Sequence, residues 1–330
     1  MNGVFFMRQI ARAGCKALVP LGLALGSAAA DAQAYPETAV KLVVTFPAGG
    51  SADGIARIMA EYFRAAWQQP VLVENRPGGN GMVGTLAVAR AVPNGHTLLF
   101  GTPSIATFKA FLKNPEVDTE RDLAPISLVM VSPYVIAVSA GVPVNSLAEL
   151  ISYAKANPAK LNYAAVAGGQ TLAVELFKQS AGIDLFRVAY KGDAQLAGAL
   201  ANNEVQVAFA SVATIQTLLD AKKVKALAVS SAVYRHPSLP ELPAAAESGL
   251  PGYDSSIWFG VVAPAKTPRE ILHKVAAQTA VFVKLPEIVS RFKTLGFVAA
   301  SSSPEDFSRL VATEIRKWSE VARRAAIEQQ

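Results

Sequence analysis

Four short turns carry the chemistry that this sequence can offer: Ala48-Gly49-Gly50-Ser51, Thr102-Pro103-Ser104, Gly168-Gly169-Gln170 and Lys191-Gly192-Asp193. Each stands between an apolar run and the start of a helical pattern. Glycine has no Cβ, so a ligand can lie directly against its backbone N–H. The first N–H groups of a helix lack intrahelical partners and make a ready anion site. In open α/β sheets, ligands bind at the carboxyl ends of strands, where such turns fall. Together the four predict one cleft lined by N–H and hydroxyl donors, which suits a carboxylate. Singly, each also reads as an ordinary strand-to-helix connection.

Other chemistry is sparse. His96, His236 and His273 are widely separated, have no metal-ligand spacing and are expected at the surface or in loops. Neither a G-x-S-x-G elbow nor H-E-x-x-H occurs. An exported hydrolase or lyase would have to use Asp53 or Asp193, yet Asp53 serves equally well as a helix cap. Gly79-Asn80-Gly81-Met82-Val83-Gly84 matches the dinucleotide fingerprint G-x-G-x-x-G. No acid near residue 104 is placed to hold a ribose, and the glycines lie beyond the strand end. The match therefore reads as a turn plus a helix N-terminus. No enzyme activity, cofactor or metal is expected.

The elements around these turns begin with a leader. Arg8, Arg12 and Lys16 precede the apolar residues 17–26, and two A-x-A sites follow at Ala30-Asp31-Ala32 and Ala32-Gln33-Ala34. This predicts a secretory signal peptide over residues 1–34, cleaved after Ala32 or Ala34, and a soluble periplasmic product. The only cysteine, Cys15, leaves with it, excluding thiol chemistry and disulfides from the mature chain. The net charge of +6 falls to +4 once three bases and one acid are removed. The remaining bases are scattered, which gives no nucleic-acid footprint.

About 296 residues remain, enough for two domains. Strands expected at 40–46, 71–74 and 97–100 alternate with helices at 55–63 and 81–91, the pattern of a parallel sheet covered on both faces. Either Ser51 or Asp53 would cap the first helix. Residues 124–138 read as two strands bent at Pro133, the shape of a crossing between domains. Ser146 and Glu149 carry the spacing of a capping box. Strands at 161–164, 186–190, 205–210 and 225–229 repeat the alternation, and residues 239–253 read as loop. A buried strand at 257–263 crosses back, and helices near 268–283, 286–295 and 304–326 end the chain. The expected architecture is α/β: two doubly wound domains joined by two crossing strands, with a ligand cleft between them. Residues 35–133 plus 257–330 form one domain and 134–256 the other.

An ordered set of motifs adds a resemblance. Phe46-Pro47-Ala48-Gly49-Gly50-Ser51-Ala52-Asp53, Val73-Glu74-Asn75-Arg76-Pro77-Gly78-Gly79 and Pro93-Asn94-Gly95-His96-Thr97-Leu98-Leu99 follow one another, and Ala189-Tyr190-Lys191-Gly192, Glu247-Ser248-Gly249-Leu250-Pro251-Gly252-Tyr253 and Trp258-Phe259-Gly260 come later. Over essentially the whole mature chain the sequence resembles the Bug family of periplasmic solute-binding receptors, of the tripartite tricarboxylate transporter type. The resemblance implies a type II periplasmic-binding-protein-like fold that closes like a Venus flytrap. It implies a non-enzymatic monomer that binds a small carboxylated solute: a di- or tricarboxylate, an acidic amino acid or an aromatic acid. Its partners would be the large and small membrane subunits of a transporter, or a sensor protein in a signalling variant. Carried over by position, Phe46, Ala48, Gly49, Gly50, Ser51 and Asp53 form the first ligand loop, and Thr102 and Ser104 the second. Gly168, Gly169 and Gln170 line the opposite wall beside Tyr190 and Lys191. The chain departs from the family at Thr171-Leu172-Ala173, where a polar residue and a histidine are usual.

Overall fold

Side-chain alternation along short β-branched runs sets the layers of this molecule. In β1 (Val40–Val44), Val40, Leu42 and Val44 enter one buried cluster while Val43 enters another on the opposite face. The first cluster is covered by Ile55, Met59 and Phe63 of α1 (Ser51–Trp67), which ends at Gln68 in the left-handed conformation. Then come β2 (Val71–Asn75), a 3₁₀ turn at Gly79–Gly81, α2 (Met82–Ala89), β3 (Thr97–Gly101), α3 (Ser104–Phe111), the short α4 (Thr119–Asp122) and β4 (Leu123–Ser132). The computed structural model describes residues 35–166, 168–190, 192–232 and 235–329, which belong to one compact unit. The expected signal peptide lies outside the described residues.

The chain then builds a second sheet from β5 (Val135–Ser139), α5 (Leu147–Ala156), β6 (Asn162–Val166), α6 (Gly169–Ala181), β7 (Phe186–Tyr190), α7 (Asp193–Ala201), β8 (Val207–Ala210), α8 (Val212–Asp220) and β9 (Val224–Val229). It returns through β10 (Ile257–Pro264) and finishes with α9 (Arg269–Phe282), α10 (Pro286–Thr294), β11 (Val298–Ala299) and α11 (Pro304–Arg324). β5 alternates as β1 does: Ile136 and Val138 face one cluster, Val135 and Ala137 the other.

Strand order is β11-β4-β10-β3-β1-β2 in the first sheet and β7-β6-β8-β5-β9 in the second. The two share one plan. In each, a parallel trio (β2-β1-β3, β7-β6-β8) is followed by one antiparallel strand next to a crossing, β10 or β5. The order reverses at β1 in one sheet and at β6 in the other, and such switch points open crevices at the carboxyl ends of strands.

Several expectations are corrected. The first strand stops at Val44, and α2 spans 82–89 instead of 81–91, because Gly81 ends a separate 3₁₀ turn and the helix closes at its C-cap Arg90. Residues 104–111 form α3, whose start the Thr102-Pro103-Ser104 turn marks but whose end the short apolar pattern does not set. The 239–253 loop contains a 3₁₀ turn at Ala245–Ser248. Of the two places expected for His236, surface or loop, it takes the second: it lies in the connection between β9 and β10, is 1% exposed, and Ser238 N donates to its Nδ1 at 3.2 Å.

Candidate functional site

Neither Ser51 nor Asp53 caps α1. The N-cap is Gly50, without a side-chain cap, and Ser51 is the first helical residue. Asp53 instead reaches back and accepts from Gly49 N at 2.9 Å. Its second oxygen accepts from Asn75 Nδ2 at 2.9 Å, and the same amide group donates to Phe46 O at 3.1 Å. Arg57 Nε completes the set at 3.0 Å. The Arg57 hydrogen bond, with those from Gly49 and Asn75, outweighs the effect of burial and holds the Asp53 carboxyl at about 2. Asp53 thus ties both ends of the turn together from a position 4% exposed. Phe46, Ala48, Gly49, Gly50 and Ser51 form the exposed crest above it.

Within the crest, Gly49 has φ +87°, which demands glycine. Gly50 is extended, with φ −81° and ψ 171°. A Cβ on Gly50 would meet only Pro47 O, at an ordinary 3.7 Å. Strain therefore sits at Gly49, not at Gly50.

Beside this loop, Thr102 and Ser104 are buried and their hydroxyls lie 3.0 Å apart. On the second sheet, Gly168 has φ +83°, and a Cβ on Gly169 would approach Tyr134 Oη to 3.7 Å. Gln170 Oε1 accepts from Val166 N at 2.8 Å, while its Nε2 donates to Asp193 Oδ1 at 3.4 Å. That contact brings the β6 and β7 turns together. Tyr190 is half-buried, and desolvation, then the charge of Glu204, pushes its phenol up. Lys191 lies outside the described residues. Asp53 and Asp193 have separate partners on different sheets and form no acid–base pair in this structure.

All four helices that start at the predicted turns (α1, α3, α6 and α7) begin without a side-chain cap. Asp118, Ser146, Ser211 and Ser303 cap α4, α5, α8 and α11, while α2, α9 and α10 also begin without a side-chain cap. Uncapped first-turn N–H groups at strand ends supply positive potential without a cation. Arg57, in the second turn of α1, is committed to Asp53 and Asn75. Trp258 follows the crossing into β10, pairs with Val131 and stacks edge-on against Phe307 at 5.3 Å.

Sequence reasoning missed Thr45, which is 2% exposed with an Oγ1 lacking a hydrogen-bond partner among the described residues. It continues the apolar run of β1 and carries no separate signal. A cavity of about 530 Å³, lined in part by Leu123, Arg269, His273 and Val311, lies elsewhere, near the Leu123–Pro264 end of β4 and β10. Among the described residues there is no cluster of candidate metal ligands, and no helix is long and apolar enough to cross a membrane.

Two α/β sheets of matching plan, joined by crossing segments and carrying uncapped helix starts at their turns, define a solute-binding architecture. The comparisons agree. Residues 55–327 match the sequence family described as "Tripartite tricarboxylate transporter family receptor". A protein encoded in the tcbD-tcbE intergenic region of Pseudomonas sp. (strain P51) is 33% identical, with 92% of each chain covered. Protein BugT of Bordetella pertussis is 29% identical over 90% of this chain and 92% of its own. Among solved structures, R. palustris Rpa4515 with adipate has a TM-score of 0.75 and 33% identity, covering 90% of this chain and 100% of its own. MatC from Rhodopseudomonas palustris with bound malate has a TM-score of 0.71 and 27% identity, covering 87% of this chain and 100% of its own. The chain belongs to the tripartite tricarboxylate transporter receptor family, whose members are solute-binding proteins and not enzymes.

Proposed function

We propose that this protein is an extracytoplasmic receptor that captures a small carboxylated solute and presents it to the membrane subunits of a tripartite tricarboxylate transporter. The observation that carries the reading is the set of uncapped helix starts at the β1, β3, β6 and β7 turns, with the neighbouring Arg57 already neutralised. Backbone N–H groups and the Thr102 and Ser104 hydroxyls then bind the anion, and Asp53 acts by holding the Gly49 turn. Solved relatives named with adipate and with malate support a carboxylate ligand.

In this reading residues 35–133 plus 257–330 form one domain and 134–256 the other, and they close over the solute about the crossings near Ser132–Val135 and residues 254–257. The leader directs export to the periplasm, where the mature chain acts as a soluble monomer. Thermal melting of the mature chain against di- and tricarboxylates, acidic amino acids and aromatic acids tests this. A binding acid at about 100 times its Kd adds about 2.7 kcal/mol, or about 4 °C for a chain of this length. No shift with any acid in the panel would refute the carboxylate reading.

A further inference from the structure

The glycine-rich turn after β2, matched to a dinucleotide fingerprint and otherwise unused, belongs to the cleft. We infer that Asn80, at its apex, is a specificity-determining residue that reads a second oxygen-bearing group of the solute. This rests on the receptor reading above and adds a fifth ligand loop to it.

Three observations converge. First, the two sheets share a plan in which β2 flanks β1 as β7 flanks β6, so the β2–α2 turn occupies in one sheet the place of the β7–α7 turn in the other. Second, the turn is seated on cleft residues. Gly81 is buried, and a Cβ there would come within 2.8 Å of Ser104 Oγ and 3.3 Å of Thr45 Oγ1. Third, Asn80 faces the other sheet's ligand turn. A Cβ on Gly168 would lie 3.6 Å from Asn80 Oδ1 and 3.8 Å from its Nδ2.

The backbone holds that amide in place. Gly78, Gly79, Asn80 and Gly81 have φ of 129°, 55°, 52° and 93°, four positive-φ residues in succession. Asn tolerates this region better than other residues with a Cβ. Asn80 is exposed, and its amide has no hydrogen-bond partner among the described residues, unlike Asn75, whose amide is shared among Asp53, Phe46 O and Arg57. An amide offers both donor and acceptor, so it accommodates a hydroxyl or a carboxylate. The solute class that fits is an acid with one carboxylate on the uncapped helix starts and a second polar group toward Asn80.

Calorimetry on the wild type, Asn80→Gly and Asn80→Asp tests this, with adipate and malate as diacids and hexanoate and butyrate as monoacids. Asn80→Gly removes the amide and suits a positive φ, so folding is retained; Asn80→Asp keeps the shape and adds a repelling charge. Diacid affinity should fall about 10-fold or more in Asn80→Gly and further in Asn80→Asp, with monoacid affinity unchanged. Equal effects on both acid classes, no effect, or a wild type that does not prefer diacids would overturn the inference. A wild type that binds none of these four acids would overturn this inference, whereas the receptor reading itself fails only if the wider panel of acids above also gives no binding.

Discussion

Replacing Asp53 by alanine asks whether that carboxylate holds the first turn or touches solute. Two of its hydrogen bonds, from Gly49 N and Asn75 Nδ2, fix the turn, while Arg57 is more than half exposed and contributes little beyond them. At about 1–2 kcal/mol for each of the two, discounted because water can reach the freed donors, Asp53→Ala should cost about 2–4 kcal/mol. For about 296 residues that lowers the melting temperature by about 3–6 °C. Affinity for a bound acid should fall as well, because Gly49 and Phe46 lose their common anchor. The assay is thermal melting and calorimetry on the same preparation. An unchanged melting temperature with abolished binding would show that Asp53 is a direct ligand group and refute the turn-clamp argument.

Three further outcomes follow from the same geometry. Gly49→Ala should cost about 1–2 kcal/mol because φ is +87°, whereas Gly50→Ala should leave the melting temperature nearly unchanged and act on ligand affinity alone. Gly260→Ala should destabilise by about 1–3 kcal/mol or more in chemical denaturation, since its Cβ would meet the Phe307 ring and lie 2.7 Å from Ser127 O. The Asp53 carboxyl at about 2 lies below its ordinary value of 3.8, so folding favours its charged form. Its stabilisation is fully present above that ordinary value and is lost as pH falls through 2, so the melting difference between wild type and Asp53→Ala should shrink over that window.

Much of the fold was legible because its signals are local. The β-branched runs at 40–44 and 257–264, and the Ser146 cap that accepts from Glu149 N at 3.1 Å, need no tertiary information. The extent of α3 was harder to read than its start: Ile105, Ala106 and Phe108 are all buried, so no polar face marks a helical period after the Thr102-Pro103-Ser104 turn. β11 has only two residues and is defined by its pairing with Val131 and Met130. At the site, the glycine turns were readable as turns, but not which glycine needed its freedom. The role of Asp53 was hidden because its partner Asn75 lies 22 residues away, and only folding brings the two together.

The central claim is that a carboxylated solute binds between the two sheets on backbone and hydroxyl donors. Native mass spectrometry of the mature protein, freshly purified without denaturant, tests it most directly. The account predicts a single adduct per chain whose mass matches a small organic acid, displaced by excess of that acid and weakened in Asp53→Ala. A protein that carries no adduct and takes up none of the di-, tri- or aromatic acids offered to it would contradict the account.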